Sequence, residues 1–236
     1  MRVCVVEQQP DAPAGVLGAW AAQRGHVLDV LRAPAVAAWP DPRAFDAVVA
    51  LGSDRSVHGS RDAWIAAEVA FLRAAHDAGV PVLGLCFGAQ ALAAALGGSV
   101  HRAPRVEIGW IEVRASPAGE AVAALAPGPW FAWHEDAFSV PPGAVELART
   151  AVGPQAFALG TSVGLQFHPE VDAAIVGGWV ADGQRQLATE RVDEHALLTE
   201  TERLAAAACR RALALFDAIL PASGPSVQPG VQNGWR

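Results

Sequence analysis

Cys86 lies in the segment Gly-Leu-Cys-Phe-Gly-Ala-Gln, residues 84–90, with a glycine two positions away on each side. A nucleophile flanked in this way is typical of a sharp turn from a strand into a helix, where glycines relieve the crowding of the folded-back backbone. The helix that follows would aim its free N–H groups and its positive dipole end at the sulfur, which favours the attacking thiolate. The N–H of Phe87 is positioned to help hold a tetrahedral oxyanion. The segment predicts a nucleophile, against the alternative that Cys86 is a small buried hydrophobic residue.

A base, and a group to orient it, occur together in Gln-Phe-His-Pro-Glu, residues 166–170. Side chains two positions apart in an extended segment point the same way, and Pro169 pushes His168 towards extended geometry. Glu170 could therefore hold the imidazole of His168 in the tautomer that a thiol nucleophile needs. A surface turn is the alternative explanation of so short a motif. A rival base is His134, which has carboxylates beside it and could instead be a structural histidine that ties down a loop.

Strands and helices alternate along the first hundred residues. Apolar runs predict strands at residues 3–6, 26–31, 45–51 and 80–85, and helical spacing predicts helices at residues 14–24, 61–78 and 87–96. Strands that are apolar on both faces belong in a parallel sheet covered on both sides. This half of the chain therefore predicts an α/β fold with a doubly wound, mostly parallel sheet.

The pattern changes after Val100. Strands are predicted at residues 105–114 and 160–167, loops with aromatic residues at 127–142, and helices at 171–181 and 194–220. We expect a smaller antiparallel strand region here and one domain over residues 1–220. That domain would comprise a core over about residues 1–183 and a C-terminal helical extension over about 184–220. Residues 221–236 are rich in Pro, Gly and Gln, which predicts a flexible tail.

The composition argues against several classes of function. With 24 acidic and 17 basic residues, the net charge of −7 disfavours a protein that binds nucleic-acid phosphates. Three widely spaced cysteines form neither a disulfide framework nor a metal motif, and no histidines and acids have the spacing of metal ligands. The start of the chain has no secretory signal, and no uncharged run reaches the roughly 20 residues that span a membrane. We expect a cytoplasmic protein with no cofactor and with neither nucleic acid nor membrane as a partner.

Taken together, the two motifs resemble those of the class I glutamine amidotransferases, most closely the glutaminase domain of GMP synthetase and its stand-alone relatives. The family's elbow, Gly-[Ile/Leu/Val]-Cys-x-Gly-x-Gln, is met by residues 84–90, and its Gln-Phe-His-Pro-Glu motif is met by residues 166–170. The motifs occur in the family's order and at its usual order of separation. The resemblance covers roughly residues 1–183 and implies a flavodoxin-like fold.

The resemblance implies a role for each member of a triad. Cys86 would attack the side-chain amide of L-glutamine or of another γ-glutamyl compound. His168 would take the thiol proton and deliver a proton to the departing ammonia, while Glu170 orients His168. Hydrolysis of the resulting γ-glutamyl thioester would then release glutamate.

The resemblance also implies an oxyanion and substrate site. The N–H of Phe87 and one from the turn at Gly52 and Ser53 would hold the oxyanion, and Gln90 would help to bind the substrate. Relatives usually carry two glycines and a proline where this chain has Gly52, Ser53 and Asp54. A Cβ at Ser53 narrows the conformations open to the turn, so we expect a less preformed oxyanion site and an activity that depends on a partner.

These 236 residues contain neither a G-x-x-x-x-G-K-[ST] loop nor a G-x-G-x-x-G after a strand. The leading hypothesis is therefore an amidotransferase that passes ammonia to a separate synthase. A γ-glutamyl hydrolase with the same triad is a second hypothesis, and it needs a roomier site on the side of the leaving group. A third is a non-catalytic regulatory module on the same fold.

Overall fold

The computed structural model describes residues 1–120 and 128–220. The strands are β1 (Arg2–Glu7), β2 (Val27–Arg32), β3 (Ala47–Ala50), β4 (Val82–Leu85), β5 (Val100–Ile111), β6 (Arg114–Ala115), β7 (Trp130–Phe138), β8 (Val145–Arg149), β9 (Pro154–Leu159) and β10 (Ser162–Leu165). The helices are α1 (Gly15–Arg24), α2 (Ala63–Asp77), α3 (Phe87–Ala95), α4 (Pro117–Glu120), α5 (Ala173–Asp182), α6 (Gln184–Glu190) and α7 (Glu194–Ile219).

The main sheet has eight strands in the order β2-β1-β3-β4-β10-β9-β8-β6. The five strands from β2 to β10 are parallel to one another, and the remaining three add to β10 in antiparallel fashion. The order of the parallel strands is the doubly wound, flavodoxin-like order. Strands β5 and β7 form a separate antiparallel pair. The expected fold class is confirmed, including the smaller antiparallel region and the C-terminal helix.

Both faces of the central strands are covered by helices. Alternate residues of β1 enter different clusters, with Val3 and Val5 packing in the core that contains residues of α1 and α7. Cys4 and Val6 pack in the opposite core with residues of α2 and α3. Continuous apolar strands therefore reflect burial on both faces, as the sequence predicted. The outermost parallel strand, β2, is exposed or half-buried along its length.

Helix α7 is part of the main core. Ala212, Leu215 and Phe216 are fully buried in the same cluster as Trp20 of α1. Asp217 accepts a hydrogen bond of 2.9 Å from Nε1 of Trp20. The last helix thus covers one face of the sheet and closes against the first helix.

The expectation of loops over residues 127–142 is wrong for residues 130–138, which form β7. This strand escaped prediction because its buried positions include polar residues that break the alternation of a half-buried strand. Their partners lie on β5, where Glu107 is opposite His134 and Arg102 is opposite Asp136. Buried polar groups need polar partners, and here the partners are supplied by the neighbouring strand. The sequence pattern of one segment does not show such partners.

Strands β8 and β9 and helix α6 were not predicted either. All three are short, and β9 begins at Pro154, a residue that usually indicates a turn but is tolerated at the first position of a strand. The tail expected over residues 221–236 lies outside the described residues. Within the described ranges, no helix has the length and apolar character needed to cross a membrane.

Candidate active site

Cys86 occupies the junction between β4 and α3 with φ 51° and ψ −107°, a conformation that residues other than glycine rarely adopt. The glycines on either side are required by close backbone approach. A Cβ on Gly84 would lie 2.4 Å from the carbonyl oxygen of Gly88, and one on Gly88 would lie 2.2 Å from that of Ala50. The segment therefore forms the sharp strand-to-helix turn that its glycines predicted, with the thiol at its apex.

The candidate residues converge at the carboxyl ends of adjacent parallel strands. Cys86 follows β4, Gly52 follows β3 and His168 follows β10, and β4 lies between the other two strands. A Cβ added to Gly52 would lie 2.9 Å from Cε1 of His168 and 3.8 Å from Cβ of Cys86. This edge of an open α/β sheet is where such folds bind their ligands.

His168 and Glu170 form a buried pair in which Nδ1 lies 2.7 Å from Oε1. The backbone N–H of His168 donates to the carbonyl oxygen of Phe131 on β7, which fixes the residue from a second side. Burial of the imidazole works against its charge. The negative charges and hydrogen bonds of Glu170 and Cys86 outweigh this effect and raise the pKa of His168 to about 10.

This arrangement indicates which ring nitrogen of His168 carries a hydrogen. Since Nδ1 faces a carboxylate, Nδ1 carries a hydrogen, and Nε2 is left for the sulfur of Cys86. The sulfur also receives a contact of 3.7 Å from Nε2 of Gln166 and lies 3.8 Å from the carbonyl oxygen of Trp133. The geometry can therefore hold a thiolate beside an imidazolium whose charge is compensated by a buried carboxylate.

The other two cysteines have different surroundings. Cys4 is fully buried in β1, and burial, with a contribution from the charge of Asp29, raises the pKa of its thiol to about 12 against the opposing effect of Arg2. Cys209 is half-buried in α7. Neither lines the cavity described next, whereas Cys86 does.

Cys86 and His168 line a cavity of about 320 Å³. Its walls come from the segments after β1 and β3, from β7 and from the junction of α5 with α6. The remaining lining residues are Gln9, Asp11, Ala12, Gly52, Ser53, Asp54, Arg55, Ser56, Gln90, Arg102, Trp133, His134, Glu135, Asp136, Trp179, Asp182, Gly183 and Gln186. The volume is at the small end of the range of roughly 300–1,000 Å³ typical of ligand sites, which suits a small polar substrate.

The turn at Gly52 and Ser53 is fixed by side-chain hydrogen bonds. The hydroxyl of Ser53 donates to Oε1 of Gln9 at 3.0 Å and accepts from the N–H of Arg55 at 3.1 Å. The N–H of Asp54 donates to the same Gln9 oxygen at 2.7 Å. The serine that replaces a family glycine thus supplies a hydroxyl that helps to hold the turn.

The other two residues expected to bind oxyanion and substrate lie beside Cys86. Phe87 begins α3, and its N–H is one of those at a helix start that lack an intrahelical acceptor. Gln90 lines the cavity, but its Nε2 donates to the carbonyl oxygen of Asp136 at 3.1 Å and to Oε1 of Gln166 at 3.3 Å. Because an amide nitrogen has two hydrogens, only Oε1 of Gln90 remains for a substrate.

His134, the rival base, has both ring nitrogens close to oxygen atoms of other residues. Nδ1 lies 3.0 Å from the carbonyl oxygen of Asp136, and Nε2 lies 3.1 Å from Oε2 of Glu107, out of line for a hydrogen bond. Burial tends to raise the pKa of Glu107, but the close contact and charge of His134, with hydrogen bonds from Thr150 and Gln155, bring it below the usual range. These contacts fit a structural role for His134 in joining β5 to β7.

The sequence reading missed an aromatic and amide wall of the cavity. The ring centroid of Trp179 lies 4.9 Å from that of His168, in an edge-on arrangement, and its Nε1 donates to the carbonyl oxygen of Asp11 at 2.7 Å. Nε1 of Trp133 donates to Oε1 of Gln186 at 2.8 Å. The helical spacing of Trp179 from Val176 in α5 could have indicated that Trp179 faces the protein. Nothing in the local sequence indicated that α6 would reach the cavity.

No group of three or more His, Cys, Asp and Glu side chains within residues 1–120 and 128–220 is arranged to hold a metal ion. The described side chains at the cavity offer a thiol and an imidazole with a buried carboxylate behind it, next to N–H groups at a helix start.

Comparison with protein families matches residues 56–177, more than half of the chain, to the family "Glutamine amidotransferase class-I". The chain belongs to this family. The matched residues contain both motifs on which the resemblance was based, and the resemblance is confirmed.

Individual relatives agree. A GMP synthase [glutamine-hydrolyzing] from Aeropyrum pernix is 41% identical over 146 residues, which cover 60% of this chain and 27% of the relative. The chain thus spans about a quarter of that protein's length. A glutamine amidotransferase from Thermotoga maritima superposes with a TM-score of 0.84 at 25% identity, covering 94% of this chain and 99% of the other. A glutamine amidotransferase from Methylobacillus flagellatus gives 0.85 at 26% identity, covering 93% and 94%.

Proposed function

We propose that this chain hydrolyses the side-chain amide of L-glutamine to glutamate and ammonia through a thioester on Cys86. The observation that carries the proposal is that Cys86 and His168 line one cavity, with Glu170 buried against His168. The imidazole lies 2.7 Å from the carboxylate, and the thiol sits at a strand-to-helix turn. Membership of the amidotransferase family supports the same chemistry.

The proposed reaction has two halves. Cys86 Sγ forms a bond to the amide carbon, and the tetrahedral intermediate breaks its C–N bond as His168 donates a proton to the departing ammonia. Water then attacks the γ-glutamyl thioester while His168 accepts its proton, and the C–S bond breaks to release glutamate. Glu170 compensates the imidazolium charge in both halves and keeps Nε2 directed at the reacting atoms.

The proposed oxyanion donors are the N–H of Phe87 and an N–H of the turn at Gly52 and Ser53. Both flank Cys86 at the carboxyl ends of β3 and β4, where developing negative charge would lie against the start of α3. Gln90 would receive a donor group of the substrate at Oε1. Removal of one oxyanion donor in such sites costs about 10²–10³ in kcat.

We further propose that the ammonia serves a separate synthase. The Aeropyrum relative is named for both GMP synthesis and glutamine hydrolysis, and this chain matches only 27% of it. The family match over residues 56–177 includes the candidate triad. Full glutaminase activity of the isolated chain, unchanged by any candidate partner, would contradict this second step alone.

The test is turnover of L-glutamine by the full chain, with ammonia and glutamate measured together. Cys86→Ser should abolish turnover, while Cys209→Ser, at a half-buried cysteine away from the cavity, should retain it. Retained turnover in Cys86→Ser would refute the proposed nucleophile. γ-Glutamyl amides with larger amine groups should be assayed beside glutamine, and a strong preference for them would instead favour a γ-glutamyl hydrolase.

A further inference from the structure

Two consecutive glutamines follow β1 and face different parts of the molecule. Gln9 reaches the cavity, where its Oε1 accepts hydrogen bonds from the hydroxyl of Ser53 at 3.0 Å and from the N–H of Asp54 at 2.7 Å. Both donors belong to the turn proposed to supply an oxyanion N–H. One neutral acceptor, in the segment that follows β1, therefore holds two successive residues of that turn.

Gln8 points the other way, into the core beneath the turn. Its Nε2 donates to Oε1 of Glu68 on α2 at 2.6 Å, and Glu68 is fully buried. The two remaining polar atoms of the pair, Oε1 of Gln8 and Oε2 of Glu68, are buried without hydrogen-bond partners among the described residues. Buried polar groups left unpaired are costly, so a pair with one atom unused on each side needs an explanation.

Protonation of Glu68 provides that explanation. A carboxylic acid and a primary amide are complementary through two hydrogen bonds, because the protonated oxygen donates where the amide oxygen accepts. The unused atoms are one amide oxygen and one carboxyl oxygen, which are the two members of that second bond. Burial, opposed only in part by the hydrogen bond from Gln8, raises the pKa of Glu68 to about 8, so the acid form is available at neutral pH.

We propose that Gln9 is a positioning residue that clamps the turn at Ser53 and Asp54 for catalysis, and that the buried pair of Gln8 with Glu68 anchors it. The catalytic part of this inference rests on the proposed function. The clamp itself is a structural statement that holds whether or not the chain hydrolyses glutamine. It accounts for the hydrogen bonds that hold a turn with serine and aspartate where relatives usually carry glycine and proline.

The first measurement is amide hydrogen exchange of residues 52–55 in the full chain. Gln9→Met has a similar length but no acceptor, and it should speed exchange of the Asp54 amide about tenfold, the equivalent of one hydrogen bond. Gln9→Glu keeps an oxygen acceptor and should retain the protection. Unchanged exchange in Gln9→Met, or equal loss in both variants, would overturn the clamp.

The second measurement is kinetic. Gln9→Met should lower kcat for glutamine by about 10- to 100-fold, with KM changed less than about threefold, because the misplaced turn loses transition-state contacts. Alkylation of Cys86 by iodoacetamide should keep its wild-type rate, since that reaction makes no use of an oxyanion donor. A parallel fall of kcat and alkylation would show general damage to the site and would overturn the positioning role.

The anchor is tested by a matched pair at its two ends. Glu68→Gln preserves an amide pair with Gln8 and should leave exchange of the Asp54 amide at the wild-type rate, whereas Gln8→Met should speed it. Equal exchange rates in the two variants would overturn the anchor. If the wild-type chain does not turn over glutamine at all, the proposed function fails, while the exchange measurements still decide the clamp and its anchor.

Discussion

Cys86 adopts a backbone conformation that costs of order 1–3 kcal/mol for a residue other than glycine. The surrounding structure sustains this cost through close backbone packing at Gly84 and Gly88, where any side chain would collide. The gain is geometric, since the thiol is presented at the end of the sheet and against the start of a helix. Strain at this position is what the proposed nucleophilic role requires.

Glu170 carries the clearest prediction at the scale of a single residue. Glu170→Gln removes a negative charge that raises the pKa of His168, so that pKa should fall and the imidazolium should be lost at lower pH. We expect kcat for glutamine to fall by about 10²–10⁴-fold, as when a catalytic imidazole loses its carboxylate. The pH dependence of Cys86 alkylation should shift with it.

Glu200→Gln is the control for this change. Glu200 is a partly exposed carboxylate of α7 that pairs with the exposed Arg203, and such pairs contribute little to stability. Its kinetics and pH profile should match the wild type. Indistinguishable pH profiles for Glu170→Gln and the wild type would show that Glu170 does not control His168.

The candidate triad residues could be proposed from the sequence because each lies in a short local motif. The glycines around Cys86 and the two-residue spacing of His168 and Glu170 need no knowledge of distant packing. Trp179 and Gln186 could not be found in this way, since only the tertiary fold brings α5 and α6 to the cavity. The candidate reactive residues could therefore be proposed from local motifs, whereas the residues that line the rest of the cavity could not.

At the scale of elements, the turn from β4 into α3 depends on a close approach to β3. Gly88→Ala would place a Cβ 2.2 Å from the carbonyl oxygen of Ala50, so backbone must move. We expect the free energy of unfolding to fall by about 1–3 kcal/mol, as is typical of overpacking. Turnover should fall strongly as well. Urea unfolding and glutamine turnover measure the two effects.

Gly177→Ala in α5 is the matched control, because no heavy atom lies within 4 Å of the added Cβ. Alanine favours a helix over glycine, so stability should be unchanged or higher by up to about 1 kcal/mol. If Gly88→Ala and Gly177→Ala changed the free energy of unfolding equally, the conclusion that close packing requires glycine at position 88 would be contradicted.

The elements that could be predicted are those whose burial shows in the local sequence, and the others depend on contacts with distant residues. The parallel strands and their helices were predicted because continuous apolar runs and helical spacing reflect burial on both faces. Strand β7 was missed because it buries His134 and Asp136 opposite residues of β5, which are adjacent in the folded sheet but distant in the chain. Strands of this kind are stabilised by pairing with a distant strand, and that pairing cannot be recognised in the sequence of the segment itself.

At the scale of the whole molecule, we propose that residues 1–220 form a single domain. Helix α7 contributes Ala212, Leu215 and Phe216 to the core that covers one face of the sheet. Deletion of residues 184–220 should therefore expose that face and abolish cooperative unfolding, which far-UV circular dichroism during heating would show. A fragment of residues 1–183 that unfolds cooperatively at the wild-type temperature would contradict the proposal.

Glu68 predicts a pH dependence of global stability. Its folded pKa of about 8 exceeds its ordinary value of 4.5, so the folded state holds a proton that the unfolded state releases between these values. This contribution is full below about pH 4.5 and is lost as pH rises to about 8, by at most about 1.4 kcal/mol per pH unit. Glu68→Gln cannot ionise, and its free energy of unfolding should fall less than that of the wild type over this window. Parallel curves would contradict the prediction.

The central claim is that Cys86 attacks the side-chain amide of glutamine, and affinity labelling tests it most directly. A glutamine analogue with a diazoketone in place of the amide should be incubated with the full chain, and the labelled peptide identified by mass spectrometry. The account predicts one label per chain, on Cys86, formed more slowly in the presence of L-glutamine and absent from Cys86→Ser. Failure to label Cys86, or labelling that L-glutamine does not slow, would contradict it.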